Sequence, residues 1–228
     1  MWTLALDTTT RPGSVALTRD GLLVEEAAGD PASSAVEHLP GDLMALLERH
    51  GLTTTDLDVL AVAVGPGSFT GLRVGIAAMQ GLSFATGCPL VGVSGLDALA
   101  RLAGGGVVAT WVDAWRGEVF AACYREGTLM GDPTVDTPGA VLETLPAGVP
   151  VTFVGDGAVA YRAVIDAARG AQGRFPAVPA PLLAGSVALL AEAVVRSGVR
   201  PTPDAIAPLY VRRPDVELAR SRARGLGQ

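Results

Sequence analysis

Two aspartates stand at matching places in the chain. "LALDTTTRPGSVAL" (4–17) and "TWVDAWRGEVFAACY" (110–124) each run from an apolar strand to an Asp, a short loop, a Gly and a second strand. Asp7 and Asp113 are hard oxygen donors of the kind that hold a divalent cation. Small residues after such an Asp let the backbone approach a phosphate. Thr8, Thr9 and Thr10 meet that need after Asp7, whereas Trp115 and Arg116 put bulk in the second loop. Asp7, Thr9, Asp113 and Arg116 are therefore the candidate residues of a cleft, and two readings of it stay open. One is a vestigial metal-phosphate site; the other is a pair of hairpin turns whose carboxylates bond to their own loops.

A glycine loop is the second candidate. In "VGPGSFTGLRVG" (64–75), Gly65, Gly67 and Gly71 lead from an apolar run into what reads as a helix. Backbone N–H groups at a helix N-terminus favour an anion. A phosphate loop of the Walker type, however, ends in Gly-Lys-Ser/Thr, and this one ends Gly71-Leu72-Arg73. All 17 basic residues are Arg, so neither a phosphate-loop lysine nor a Schiff-base lysine exists. A dinucleotide fingerprint wants an acid about twenty residues on, and residues 85–95 offer none. The competing reading is a tight strand-to-helix turn with close helix–sheet contact.

Other chemistries lack their residues. His38 and His50 are too far apart to share a metal within one helix, and Cys88 and Cys123 have no metal-ligand spacing. No Gly-x-Ser-x-Gly elbow occurs. The net charge of −6 argues against unaided nucleic-acid binding. The apolar stretch "LLAGSVALLAEAVV" (182–195) is too short for a membrane span and contains Glu192. These features predict a cytoplasmic protein with no membrane partner and no metal of its own.

The elements that must position these residues follow from pattern and punctuation. Residues 3–10, 13–20 and 22–28 read as an antiparallel meander turning at Gly13 and Asp20-Gly21. Residues 34–50 read as a helix with Leu39, Leu43, Leu46 and Leu47 on one side. A buried strand (57–65), the glycine loop, a helix to about 86, a strand (89–93) and a Ser94-capped helix to about 103 follow. "GGG" (104–106) then marks a boundary. "VTFVGDGAVAYRAVIDAA" (151–168) echoes "LAVAVGPGSFTGLRVGIAA" (60–78) as strand, Gly-x-Gly and helix. With the paired Asp hairpins, this points to an internal duplication. The fold class expected is α/β: an actin-like (Hsp70 and sugar-kinase-like) duplicated two-lobe fold with mixed sheets flanked by helices.

The helix after the glycine loop is nearly free of charge. Leu72, Ile76, Met79 and Ser83 form one stripe, and Val74, Ala77, Ala78, Gly81 and Ala85 form another. A surface helix should have a polar face. Either this helix is buried in its own fold, or its second face packs against another protein.

"LALDTTTRPGSVAL", "GPGSFTGLRVGIAAMQGLSFA", "VSGLDALA", "VDAWRGEVF" and "PLYVRR" together resemble the bacterial TsaB (YeaZ) family, across residues 3 to about 213. The resemblance implies a non-catalytic subunit that pairs with a larger relative, TsaD. That complex, with the ATPase TsaE, transfers threonylcarbamoyl to the tRNA adenosine 3′ of the anticodon. ATP/ADP and metal are then expected on the partner subunits, tRNA is met only through the complex, and a homodimer is possible when the chain is alone. The pairing surface is carried onto the first two helices, with Leu39, Leu43, Leu46 and Leu47 from the first. Gly67, Ser68, Phe69, Thr70, Gly71, Arg73, Gly75, Ile76, Ala78, Met79 and Leu82 come from the loop and second helix. The family often has a His earlier in the first helix, so His38 is given no role. The lobes are expected at 1–103 and 107–211, with part of the helix at 182–198 free to pack back on the first, and a basic mobile tail at 212–228. Two alternatives remain: a small actin-like kinase or ATPase using Asp7, Thr9, Asp113 and Gly155-Asp156-Gly157, and a homodimeric binding module.

Overall fold

The structure, a computed structural model, describes residues 1–29 and 35–211, and within the first helix the side chain at 38 and those from 41 onward. The Leu39 side chain and the basic tail at 212–228 lie outside the described residues.

Strands β1 (Trp2–Asp7), β2 (Ser14–Arg19) and β3 (Leu22–Ala28) form the expected antiparallel meander, with Leu4 opposite Leu17. Helix α1 (Ala35–Arg49) leads to β4 (Val59–Ala63), which pairs parallel with β1. Helix α2 (Phe69–Thr86) crosses over to β5 (Leu90–Val93), parallel to β4, and α3 (Gly95–Ala103) follows. The sheet runs β3-β2-β1-β4-β5.

The second half repeats this plan. β6 (Val107–Asp113), β7 (Val119–Arg125) and β8 (Thr128–Leu129) form a meander, and β9 (Thr134–Asp136) also pairs with β7. After α4 (Pro138–Thr144) come β10 (Val151–Val154), α5 (Asp156–Ala160), α6 (Arg162–Arg169) and β11 (Gly173–Arg174). The second sheet runs β11-β10-β6-β7-β8. Outward from β1 or β6, each sheet has a hairpin on one side and two parallel strands on the other. The duplication seen in the Asp hairpins therefore extends to the topology. Helix α7 (Ala184–Arg196) comes from the second half but lies across β1, β2 and β4.

Side-chain size divides the two faces of the first sheet. Leu4, Leu6, Leu17, Leu60 and Val62 point to the face covered by α1 and α2, where Leu43, Leu46, Leu47, Ile76 and Met79 meet them. Ala5, Ala16, Ala61 and Ala63 point the other way, and these short side chains admit α7 through Ala184, Val187, Ala188 and Ala191. No helix among the described residues is long and apolar enough to cross a membrane.

This packing corrects part of the expected partner surface. Leu43, Leu46 and Leu47 are 3%, 0% and 2% exposed, because their stripe of α1 covers the chain's own sheet. Leu46→Ala is expected to cost about 2–5 kcal/mol of stability, the range for emptying a buried leucine site. Met44→Ala, at a side chain 43% exposed, is expected to cost under about 0.5 kcal/mol. Urea unfolding of the two variants checks this; equal midpoints would place Leu46 outside the core.

Candidate partner-docking site

The two Asp hairpins are closed by their own hydrogen bonds. The Asp7 carboxylate is fully buried. Its Oδ1 accepts from Thr9 N at 2.8 Å and Thr9 Oγ1 at 2.6 Å, and its Oδ2 accepts from Thr10 Oγ1 at 2.7 Å. Asp113 Oδ1 accepts from Trp115 N at 3.0 Å. The Asp113 backbone N–H in turn donates to Asp156 Oδ1 at 3.0 Å, which also accepts from Gly157 N at 2.8 Å. Each Asp thus ties its own turn. Trp115 and Arg116 hold left-handed φ values of 55° and 57°, uncommon for non-glycine residues. The Trp115 side chain stands 54% exposed on that turn. Among the described residues no group of three or more His, Cys, Asp or Glu could hold a metal ion.

Burial also shifts the titration of several groups in the first half of the structure and at the second Asp hairpin. It raises the Asp156 carboxyl from its ordinary value. It raises Glu26 likewise, with the neighbouring Asp7 charge adding to the effect. The Cys88 thiol is pushed up to about 11, again by burial, so little nucleophilic thiolate exists near neutral pH.

The glycine loop resolves in favour of close packing. Ser68 Oγ caps α2 by accepting from Gly71 N at 3.3 Å. A Cβ on Gly71 would stand 2.5 Å from Thr8 O, and one on Gly67 or Gly75 would collide with Thr9 or Thr8. These three glycines let the start of α2 lie directly on the Asp7 hairpin. Helix α2 ends at Gly87, whose φ of 73° turns the chain and whose N–H returns to Ser83 O at 2.8 Å.

Helix α2 consequently has one closed face and one open face. Gly71, Leu72, Gly75, Ile76, Met79 and Ser83 are buried. Of the residues expected at a partner surface, Gly71, Gly75, Ile76 and Met79 belong to this closed face, a correction with the same cause as for the α1 leucines. Phe69, Thr70 and Arg73 are exposed, while Gly67, Ser68, Ala78 and Leu82 are half-buried. The open face continues through Ala77, Gly81, Phe84 and Ala85. Phe69 and Phe84 are 46% and 63% exposed, one at each end of a stripe whose middle is Ala77 and Gly81. Arg73 is its single charge. The sequence signal for Ala77, Gly81 and Ala85 was the second apolar stripe; Phe84 lies beside it.

The C-terminal segment borders this face. Gln80 Nε2 donates to Pro203 O at 2.8 Å and to Ile206 O at 3.2 Å. Leu209 N donates to Val64 O at 2.7 Å. Tyr210 stacks on Phe69 with ring centroids 5.6 Å apart, and its hydroxyl accepts from Arg73 Nε at 3.1 Å.

Known proteins match this architecture. The family model described as TsaD, tRNA N6-adenosine threonylcarbamoyltransferase, matches residues 32–219. The tRNA threonylcarbamoyladenosine biosynthesis protein TsaB of Escherichia coli is 39% identical over 126 residues, 54% of each chain. The solved structure of YeaZ from Pseudomonas aeruginosa aligns with a TM-score of 0.73 at 30% identity, covering 92% of this chain and 99% of that one. The chain belongs to the TsaB (YeaZ) family. An uncharacterized protein of Mycobacterium leprae is 36% identical over 94% of this chain, which spans only 55% of that longer protein. Membership in the TsaB family carries the duplicated actin-like fold with it, and in this member the Asp hairpins of that fold are tied to their own turns.

The raised Glu26 carboxyl gives a pH test of the hairpin region. Glu26 Oε1 accepts from Gly185 N at 2.7 Å, joining β3 to the start of α7. Because its folded pKa lies above the unfolded one, the folded state keeps a proton that the unfolded state has lost. Stability therefore falls as pH rises through that window, and the loss persists above it. Glu26→Gln keeps the acceptor and removes the charge. The variant is expected to melt above the wild type at neutral pH, with the gap closing toward about pH 4. A variant melting below the wild type at neutral pH would show that the charge itself holds α7 in place.

Proposed function

We propose that this chain is a non-catalytic docking subunit of tRNA threonylcarbamoyladenosine biosynthesis. It binds a TsaD-type transferase through the open face of α2. The nucleotide and metal belong to that partner and to a TsaE-type ATPase, and tRNA is met only in the assembled complex. The observation that carries the reading is the exposed stripe Phe69–Ala77–Gly81–Phe84, with one charge in five helical turns. Small residues at its centre allow a partner helix to approach closely, and an aromatic at each end supplies apolar area. The Asp7 carboxylate, already accepting from three donors of its own hairpin, supports the non-catalytic part of the reading.

Phe84→Asp puts a charge into the proposed contact without touching the core. It is expected to weaken TsaD binding by more than about 100-fold, the scale for an uncompensated buried charge, while leaving the melting temperature unchanged. Calorimetric titration against the purified transferase reads this directly; unchanged affinity would remove α2 from the interface. The isolated chain is expected to show no ATP turnover. Turnover that disappears in Asp7→Asn would instead establish the kinase alternative.

A further inference from the structure

Arg73 is the one charged side chain on the open face of α2, and it is held from two sides. Its guanidinium lies 4.0 Å over the Phe69 ring. Its Nε donates to the Tyr210 hydroxyl at 3.1 Å. Tyr210 is fixed in turn by its stack on Phe69 and by the Leu209 N–H to Val64 carbonyl bond next to it. Among the described residues no ion pair involves Arg73, and neither Nη nitrogen has an acceptor. The two Nη groups form a planar fork already fixed in direction, and such a fork matches a carboxylate with two parallel hydrogen bonds.

We propose that Arg73, set by Phe69 and Tyr210, is the specificity-determining contact of the docking stripe, and that it takes a carboxylate side chain carried by an otherwise apolar helix of a different protein. The inference rests on the docking reading above. A partner covering Phe69, Ala77 and Phe84 also takes Arg73 out of water, and a desolvated cation without a matching anion opposes binding. The charge must therefore be met from the other side. A second copy of this chain does not meet it through the same stripe, because α2 contains no Asp or Glu. Self-association through α2 sets two cations in one dry contact, whereas a partner bearing Asp or Glu satisfies the fork. The C-terminal segment acquires a role as well: Tyr210 is a positioning residue that fixes the fork before the partner arrives, so less side-chain freedom is lost on binding.

The test uses the full chain and its TsaD-type transferase, with affinity and dissociation rate measured for Phe84→Asp, Arg73→Ala, Arg73→Lys and Tyr210→Phe. Arg73, Phe84 and Tyr210 are all exposed in the free chain, and melting curves confirm folding. Arg73→Ala is expected to weaken binding by at least about 30-fold, the lower end for truncating one partner of a buried charge pair, mainly through faster dissociation. Arg73→Lys and Tyr210→Phe are expected to fall between it and the wild type. Arg73→Glu is expected to lose binding and to regain it when one acidic residue of the transferase is changed to Arg. If Phe84→Asp weakens binding while Arg73→Ala stays within about twofold, a scale at which a buried pair is absent, the docking surface stands and the Arg73 inference is overturned. If neither variant changes affinity, both fall. If Arg73→Ala alone matters, the carboxylate contact stands and the wider stripe is lost.

Discussion

Helix α2 lies where it does because Gly67 and Gly71 leave room for the backbone of Thr9 and Thr8, and Gly75 leaves room for the Thr8 side chain. A single β-carbon at any of them meets the hairpin at or inside contact distance. This constraint fixes the rotation of α2 about its axis. Ile76 and Met79 must then point into the sheet, where Leu4, Leu6 and Leu60 receive them, and Leu72 is buried beside Gly65. The opposite stripe has no choice but to face outward. A motif that could serve phosphate binding serves here to bring helix and hairpin together.

The Asp7 hairpin on which α2 rests, like the Asp113 hairpin, is closed by hydrogen bonds within its own turn. Both oxygens of Asp7 accept hydrogen bonds from Thr9 and Thr10 of the same hairpin. On the other side, the Asp113 hairpin displays an exposed Trp115 on a left-handed turn. The frame remains useful as a rigid support. The first sheet, with α7 crossing onto its other face from the second half, holds the inner side of α2.

Much of this was legible in the sequence. The meander, the Asp hairpins and the ends of α2 are marked by Gly13, Gly21, Ser68 and Gly87, residues whose backbone or capping roles are local. The stripe Leu72–Ile76–Met79–Ser83 was correctly grouped by period. What period alone could not decide was which α2 stripe faces home, because both are apolar. That is settled by Thr8, more than sixty residues earlier in the chain. The leucines of α1 failed for the same reason, since an amphipathic stripe looks alike whether it meets its own sheet or a partner. Tyr210 was out of reach, because its bond to Arg73 joins residues 137 positions apart.

The account turns on α2 having an inner face that serves folding and an outer face that serves association. Gly81 separates these roles, because beyond its chain neighbours and its own helix backbone no atom lies within 4 Å of where its Cβ would be. The most direct measurement takes melting temperature and TsaD affinity together on Gly81→Trp. The melting temperature is expected to hold or rise slightly, since Trp is a few tenths of a kcal/mol better than Gly in a helix interior. The affinity is expected to fall by more than about tenfold, as the indole occupies the space of the close helix contact. A stable Gly81→Trp protein that binds the transferase as tightly as the wild type would contradict the account.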